Sequence, residues 1–161
     1  MLRVIVCDQS TSMRRQLRSM ISAALDSRSV RARGILHADT PADMDALVRH
    51  MRPDFFDLAI CLIDAPAQLD ETLNALVSIR ALEQNIAIVI VADRPDYARE
   101  LVSVGIAGYC LIEDGANGFE AALRLPLQRI FEKRDSVIGL RFDGGVGSVV
   151  LDDIMFIEMS K

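Results

Sequence analysis

Cysteine is scarce in this sequence, 3 among 161 residues, too few for a disulfide scaffold. No Cys-x-x-Cys spacing occurs and the only histidines, His37 and His50, fall on peripheral segments, which speaks against a structural metal site. Long apolar runs are also missing. The longest, residues 86–92, has the length of a strand, well short of the roughly 18 to 20 residues of a membrane-spanning helix. Asp8, Arg14 and Arg15 interrupt the N-terminus before the apolar core of a signal peptide can form. The expectation is a cytoplasmic protein with reduced thiols. A basic excess is absent as well: the formal net charge is -5 and the pI about 5.0, which excludes a generally basic nucleic-acid binder. Arg14, Arg15 and Arg18 cluster on one predicted helix, and a solvated face accounts for them.

What is present is apolar and ordered. Hydrophobic residues make up 51% of the chain, too many for disorder, and the length suits one domain with a short appendage. Residues 2–6 are an apolar run rich in β-branched side chains, 58–63 and 86–91 are continuous apolar strands, 107–112 reads as a fifth strand, and a weaker strand is expected over 30–36. Between them lie helical patterns. The first follows Ser10, Thr11 and Ser12 as N-caps, with Met13, Leu17, Met20, Ile21, Ala24 and Leu25 inward. The second opens at Thr40-Pro41, read as N-cap and first helical residue, with Met44, Leu47, Val48 and Met51 inward, and Pro53 stops it. The third, over 69–82, turns Leu69, Leu73 and Leu76 inward. The fourth, over 95–104, is closed by Gly105, and the last runs from Gly118 to about Arg134. Pro126 inside that last helix predicts a kink or two short helices.

Five strands alternating with five helices, the central strands apolar throughout, specify an α/β fold with a parallel sheet covered on both faces. Right-handed crossovers narrow this to a doubly wound, flavodoxin-like sandwich, whose functional residues lie at the carboxyl ends of the strands. After about residue 134 the texture becomes all-β. Two short runs flank Asp143-Gly144-Gly145, a hairpin signal, and residues 154–157 suit a further strand. Gly144, Gly145 and Gly147 belong to that hairpin and not to a strand–helix junction, so a phosphate cradle is not expected.

Over residues 1–134 the sequence resembles a response-regulator receiver domain. The resemblance is carried by Val4-Ile5-Val6-Cys7-Asp8, Pro53-Asp54-Phe55-Phe56-Asp57-Leu58, Pro66, Tyr97-Ala98 and Gly105-Ile106-Ala107-Gly108-Tyr109. Residues 135–161, with Leu151-Asp152-Asp153-Ile154-Met155-Phe156-Ile157-Glu158, are similar to the opening of a LytTR DNA-binding domain, which in full needs roughly 100 residues. The combination implies a two-component transcription regulator, with the DNA-reading part confined to a longer parent protein. It also implies dimerisation through the fourth helix, fifth strand and fifth helix.

The resemblance further implies a pocket of two acids holding Mg²⁺, an aspartate that accepts a phosphoryl group, a hydroxyl and a lysine. Mapped here, the two acids are Cys7 and Asp8, the acceptor is Leu62, the hydroxyl is Ala92 and the lysine is Ile112, with Tyr109 on the fifth strand completing the constellation. Leu62, Ala92 and Ile112 can neither accept nor neutralise a phosphate. The expectation is a degenerate, non-enzymatic receiver acting through protein contacts. Two alternatives stay open. A two-residue bulge in the third strand would make Asp64 the acceptor, paired with Asp8 and Mg²⁺, although a turn-capping carboxylate is the plainer reading of Asp64. A small flavodoxin-like enzyme or ligand sensor would use the same strand ends. Cys7, Cys61 and Cys110, all on predicted central strands and so expected within several Å of one another, read as small core hydrophobes. A redox sensor at Cys7 would need a depressed thiol pKa, which Asp8 opposes.

Overall fold

The computed structural model describes residues 2–7, 19–20, 23, 35–37, 43–135, 137–142 and 145–150. The chain divides into two compact units, Met1–Pro126 and Leu127–Lys161. In the first, strands β1 (Leu2–Cys7), β2 (Ile35–His37), β3 (Leu58–Ile63), β4 (Ala87–Ala92) and β5 (Gly108–Leu111) form a parallel sheet in the order β2-β1-β3-β4-β5. This is the doubly wound order expected, and the apolar runs explain it, since β3 is buried at all six positions. Helices α1 (Met44–His50), α2 (Gln68–Leu82), α3 (Tyr97–Leu101) and α4 (Gly115–Asp135) correspond to the second to fifth predicted helices. Of the first predicted helix, Ser19, Met20 and Ala23 are described, as helical, with Met20 buried. Arg14, Arg15, Arg18, Thr40, Pro41 and the predicted strand at 154–157 lie outside the described residues. Among the described residues no helix is long and apolar enough to cross a membrane.

The alternation of side chains divides the core into two layers. Ile5, Cys7, Ala59, Cys61, Ile63, Ile88, Ile90 and Ala92 pack with Met44, Leu47, Ala75, Leu76, Ile79, Tyr97 and Leu101 in one cluster. The intervening positions, Val4, Val6, Leu58, Ile60, Leu62, Val89 and Val91, are buried on the opposite face. Helix α4 covers that face beside β5. A Cβ built on Gly108 would meet the Ala122 carbonyl oxygen at 2.5 Å and the Val89 side chain at 3.2 Å, so only glycine lets the helix backbone come this close.

Several boundaries differ from expectation. The N-cap of α1 is Asp43, whose carboxylate accepts from the Ala46 N–H at 2.6 Å. Asp43 supplies the same capping chemistry as Thr40 and sits directly before Met44, the first fully buried residue of the helix. The buried stripe of α2 is Thr72, Ala75, Leu76 and Ile79, while Leu69 and Leu73 are only partly buried. Strand β5 ends at Leu111, because Ile112–Asp114 forms a 3-10 turn closed when the Leu111 N–H donates to Asp114 Oδ2 at 3.2 Å. Helix α4 consequently begins at Gly115, and it continues through Pro126 as one helix, not two. The end of the fourth predicted helix is as expected: a 3-10 turn, Val102–Val104, follows α3, and Gly105 closes it in the left-handed region at φ 73°.

Two polar groups hold the amino ends of the strands. Arg80 donates from Nη1 to the Gln84 and Ile86 carbonyls at 3.0 and 2.7 Å, from Nε to Val104 at 3.1 Å, and from Nη2 to Gly105 at 2.6 Å. The buried Glu83 carboxylate accepts from the Asp54 N–H at 2.6 Å and the Asn85 N–H at 2.8 Å. The first of these bonds holds Asp54 in the left-handed conformation, at φ 55°.

Thr72 Oγ1, by contrast, is enclosed in the core with no hydrogen-bond partner among the described residues. Thr72→Val keeps the shape and removes the orphan hydroxyl, so it should stabilise the fold by about 1 kcal/mol, raising Tm by roughly 2–4 °C. A fall in Tm on calorimetry would mean that the hydroxyl is bonded in solution.

The second unit contains β6 (Val137–Phe142) and β7 (Gly145–Val150), paired antiparallel from Val137↔Val150 to Phe142↔Gly145. The hairpin is as expected, but β7 starts earlier and takes in Gly145 and Gly147. Asp143 and Gly144 lie outside the described residues.

Candidate functional site

The carboxyl ends of the strands collect the residues singled out from the sequence. The register sets Cys7 beside Cys61, Leu62 beside Val91, Ile63 beside Ala92, Ala92 beside Leu111, and Ile90 beside Tyr109. Cys7 and Ala92 thus belong to the cluster facing α1–α3, whereas Leu62 points to the other face. Asp64 follows the last residue of β3, and Ile112 follows the last residue of β5. Asp8 lies outside the described residues.

Strand β3 is regular to its end. Its six residues pair one for one with β4, from Leu58↔Ala87 to Ile63↔Ala92, and the Asp93 N–H extends the ladder to the Ile63 carbonyl at 3.0 Å. No bulge interrupts this pairing. Leu62 is 1% exposed, enclosed as part of the core. Asp64 sits in the following loop, clasped to the first residue of α2: its N–H donates to Gln68 Oε1 and Gln68 Nε2 donates to Asp64 Oδ1, both at 2.9 Å. This two-way bond closes the β3–α2 connection and uses one carboxylate oxygen.

Chemistry at these strand ends is dominated by apolar and acidic groups. Among the described residues no three His, Cys, Asp or Glu side chains are grouped so as to hold a metal ion. The three thiols do not converge. Cys7 and Cys61 are register partners on one face, while Cys110, the residue after Tyr109, faces the other way two strands from Cys61, its Sγ 3.8 Å from the Ile90 carbonyl. Burial, and then neighbouring Cys7, push the Cys61 thiol well up. Burial and the charge of Asp114 push Cys110 up to about 11. Both shifts disfavour the nucleophilic thiolate.

The β4–α3 loop carries features the sequence did not mark. Tyr109 donates its hydroxyl to the Arg94 carbonyl, bridging β5 to this loop. Burial, followed by the charges of Asp96 and Asp93, pushes its phenol up to about 12, which keeps it a donor at any physiological pH. Tyr97, 4% exposed at the start of α3, lies under the same loop, and burial and Asp93 raise its phenol too. Tyr109 was singled out from the sequence, but nothing in the sequence identified the Arg94 carbonyl as its acceptor.

The sequence matches no protein-family model and no curated protein. Solved structures share the fold. The pilus assembly protein CpaE of Caulobacter crescentus superposes with a TM-score of 0.57 at 15% identity, covering 76% of this chain and 97% of that one. A response regulator receiver domain protein of Clostridium thermocellum gives 0.58 at 14% identity over 80% and 96%. The chemotaxis response regulator CheY4 of Vibrio cholerae gives 0.53 at 20% identity over 81% and 98%. The chain therefore has the fold of response-regulator receivers.

Proposed function

We propose that residues 1–134 form a pseudo-receiver: a receiver-fold signalling module that works through protein–protein contacts or self-association and does not use aspartyl phosphorylation. The observation that supports this reading is Leu62, the residue mapped to the acceptor position, which is buried in a strand that pairs one for one with β4. Ala92 and Ile112 at the hydroxyl and lysine positions agree with it, since a phosphoryl dianion would find neither a donor nor a neutralising cation there. The engagement of Asp64 by Gln68 favours a capping role for that carboxylate over Mg²⁺ binding with Asp8. The thiols, desolvated and divided between two faces, lend no support to an enzyme or redox site.

The C-terminal hairpin suits the reading of residues 135–161 as the start of a LytTR-like domain, which would make the longer parent a cytoplasmic transcription regulator that contacts DNA. Exposed Val102, following α3, and Leu125, on α4, suit self-association through α3, β5 and α4. The resemblance to CpaE makes assembly of a surface appendage the second context in which such a module would serve.

Incubation with acetyl phosphate, or with beryllofluoride, and Mg²⁺ tests the central claim. Intact-protein mass should show no phosphoryl adduct, and beryllofluoride should leave amide chemical shifts at the strand ends in place. An adduct abolished by Asp64→Ala would overturn the proposal.

A further inference from the structure

The loop that enters β3 is fixed from several directions. The Arg3 N–H donates to Asp57 Oδ2 at 2.7 Å, and the Asp57 N–H donates back to the Arg3 carbonyl at 2.9 Å. The Phe55 N–H donates to the Arg52 carbonyl at 3.2 Å, closing a turn. Inside that turn the buried Glu83 carboxylate holds Asp54 in the left-handed region, which side-chain-bearing residues adopt only when their surroundings impose it.

These bonds set the half-buried Phe55 ring at the amino end of the sheet, edge-on to buried Phe56, with centroids 4.8 Å apart and planes at 85°. Two guanidinium groups lie over the ring, Arg3 at 5.0 Å from its centroid and Arg52 at 5.9 Å. Both are within reach of a cation–π attraction. Among the described residues neither guanidinium has an ion-pair or hydrogen-bond partner. In a chain of net charge -5, two cations gathered on one ring without a counter-ion are the exception. The ring offsets part of their repulsion, and an anion held by both forks removes the rest. Arg49, exposed in the last turn of α1, extends the positive surface, while Asp54 and Asp57 on the loop itself limit it.

We infer that Arg3 and Arg52, braced on Phe55, form an anion-binding site that takes a carboxylate side chain from an acidic segment of a partner protein. Asp54 and Asp57 decide the ligand class. A nucleic acid would bring repeated phosphates against both of them in exchange for few cations. A single carboxylate engages the planar forks bidentately and lays its aliphatic stem on the exposed part of the Phe55 ring. The site lies at the opposite ends of the strands from Leu62, Ala92 and Ile112. It therefore goes beyond the pseudo-receiver reading and does not depend on it.

The test titrates the full chain with a hexaglutamate peptide and follows arginine Nε–Hε and backbone amide signals by NMR. The side-chain signals of Arg3 and Arg52 and the Phe55 amide should shift saturably. Arg3→Ala or Arg52→Ala should weaken binding about fivefold. Phe55→Leu, which keeps both charges, should weaken it about threefold. Arg52→Lys keeps the charge but not the planar fork and should recover less than half of the lost binding free energy. Arg52 is exposed and Arg3 bonds to Asp57 through its main chain, so these variants should keep the fold. No saturable shift at either arginine would overturn the site. Binding of inorganic phosphate or of a DNA duplex as tightly as the peptide would overturn the carboxylate assignment. Unchanged affinity in Arg52→Lys would do the same for the built fork, since a diffuse positive field would then account for binding.

Discussion

Replacing Leu62 by aspartate should cost the fold about 4 kcal/mol, whereas Leu62→Met should cost less than about 1.5 kcal/mol. The asymmetry follows from the site. Leu62 is fully enclosed, on the same face of β3 as buried Ile60 and with Val91 as its register partner on β4. An aspartate there loses the transfer free energy of the leucine side chain and leaves a carboxyl that must either stay ionised in a dry core or take up a proton. In a receiver that phosphorylates, the same position carries an aspartate because a metal and a lysine surround it. On the proposed mapping, the first metal-holding position here is Cys7, the lysine position is Ile112 and the hydroxyl position is Ala92. Urea unfolding reads the effect directly, as a lower midpoint at unchanged slope. A Leu62→Asp protein within about 1 kcal/mol of the parent would show that water and charge enter the site, and the pseudo-receiver reading would fall with that result.

Arg80→Ala should cost about 2–3 kcal/mol, lowering Tm by roughly 4–12 °C, and Arg80→Lys should recover less than half of the loss. One guanidinium serves four backbone carbonyls from three segments: the turn after α2, the residue before β4 and the turn before β5. Two of the four bonds are exposed and contribute little. The other two, to Ile86 and Val104, are partly buried, where the loss of a donor costs more than at the surface. A lysine ammonium cannot span acceptors fanned around a planar fork. Hydrogen exchange at Gly105 and Ile106 should accelerate along with the loss. A cost below about 0.5 kcal/mol in Arg80→Ala would mean that these turns are held by packing alone.

Arg80 also marks where reading the sequence stops. The apolar runs of β3 and β4 were legible because a strand buried on both faces loses its alternation, and Gly105 was legible because a left-handed helix end favours glycine. Those are local rules. The partners of Arg80 and Glu83 are backbone atoms brought near by the fold, and backbone atoms carry no residue-specific signature. For the same reason the inward stripe of α2 was read as Leu69-Leu73-Leu76 by hydrophobicity, whereas the sheet meets the Thr72-Ala75-Leu76-Ile79 stripe. The smaller Thr72 and Ala75 allow closer approach, a matter of fit that hydropathy does not encode. What composition made legible at the candidate site was its apolar character: Leu62 and Ala92 are buried at the ends of β3 and β4, as runs of apolar residues there imply. Its geometry was not legible: the clasp of Asp64 on Gln68, the separation of Cys110 from the other thiols and the Tyr109–Arg94 bond all depend on which face and which loop each residue reaches.

The pair of tyrosines gives this protein an intrinsic optical reporter. The chain has 2 tyrosines and no tryptophan. Both phenols, Tyr97 and Tyr109, flank the short loop between β4 and α3, one beneath it and one bonded to it. The protein's near-ultraviolet absorption and emission above the phenylalanine band therefore come from one place, free of any indole background. Partner binding, self-association or any rearrangement that reaches that loop can be followed in the unlabelled chain, with no dye or substitution to disturb the surface under study.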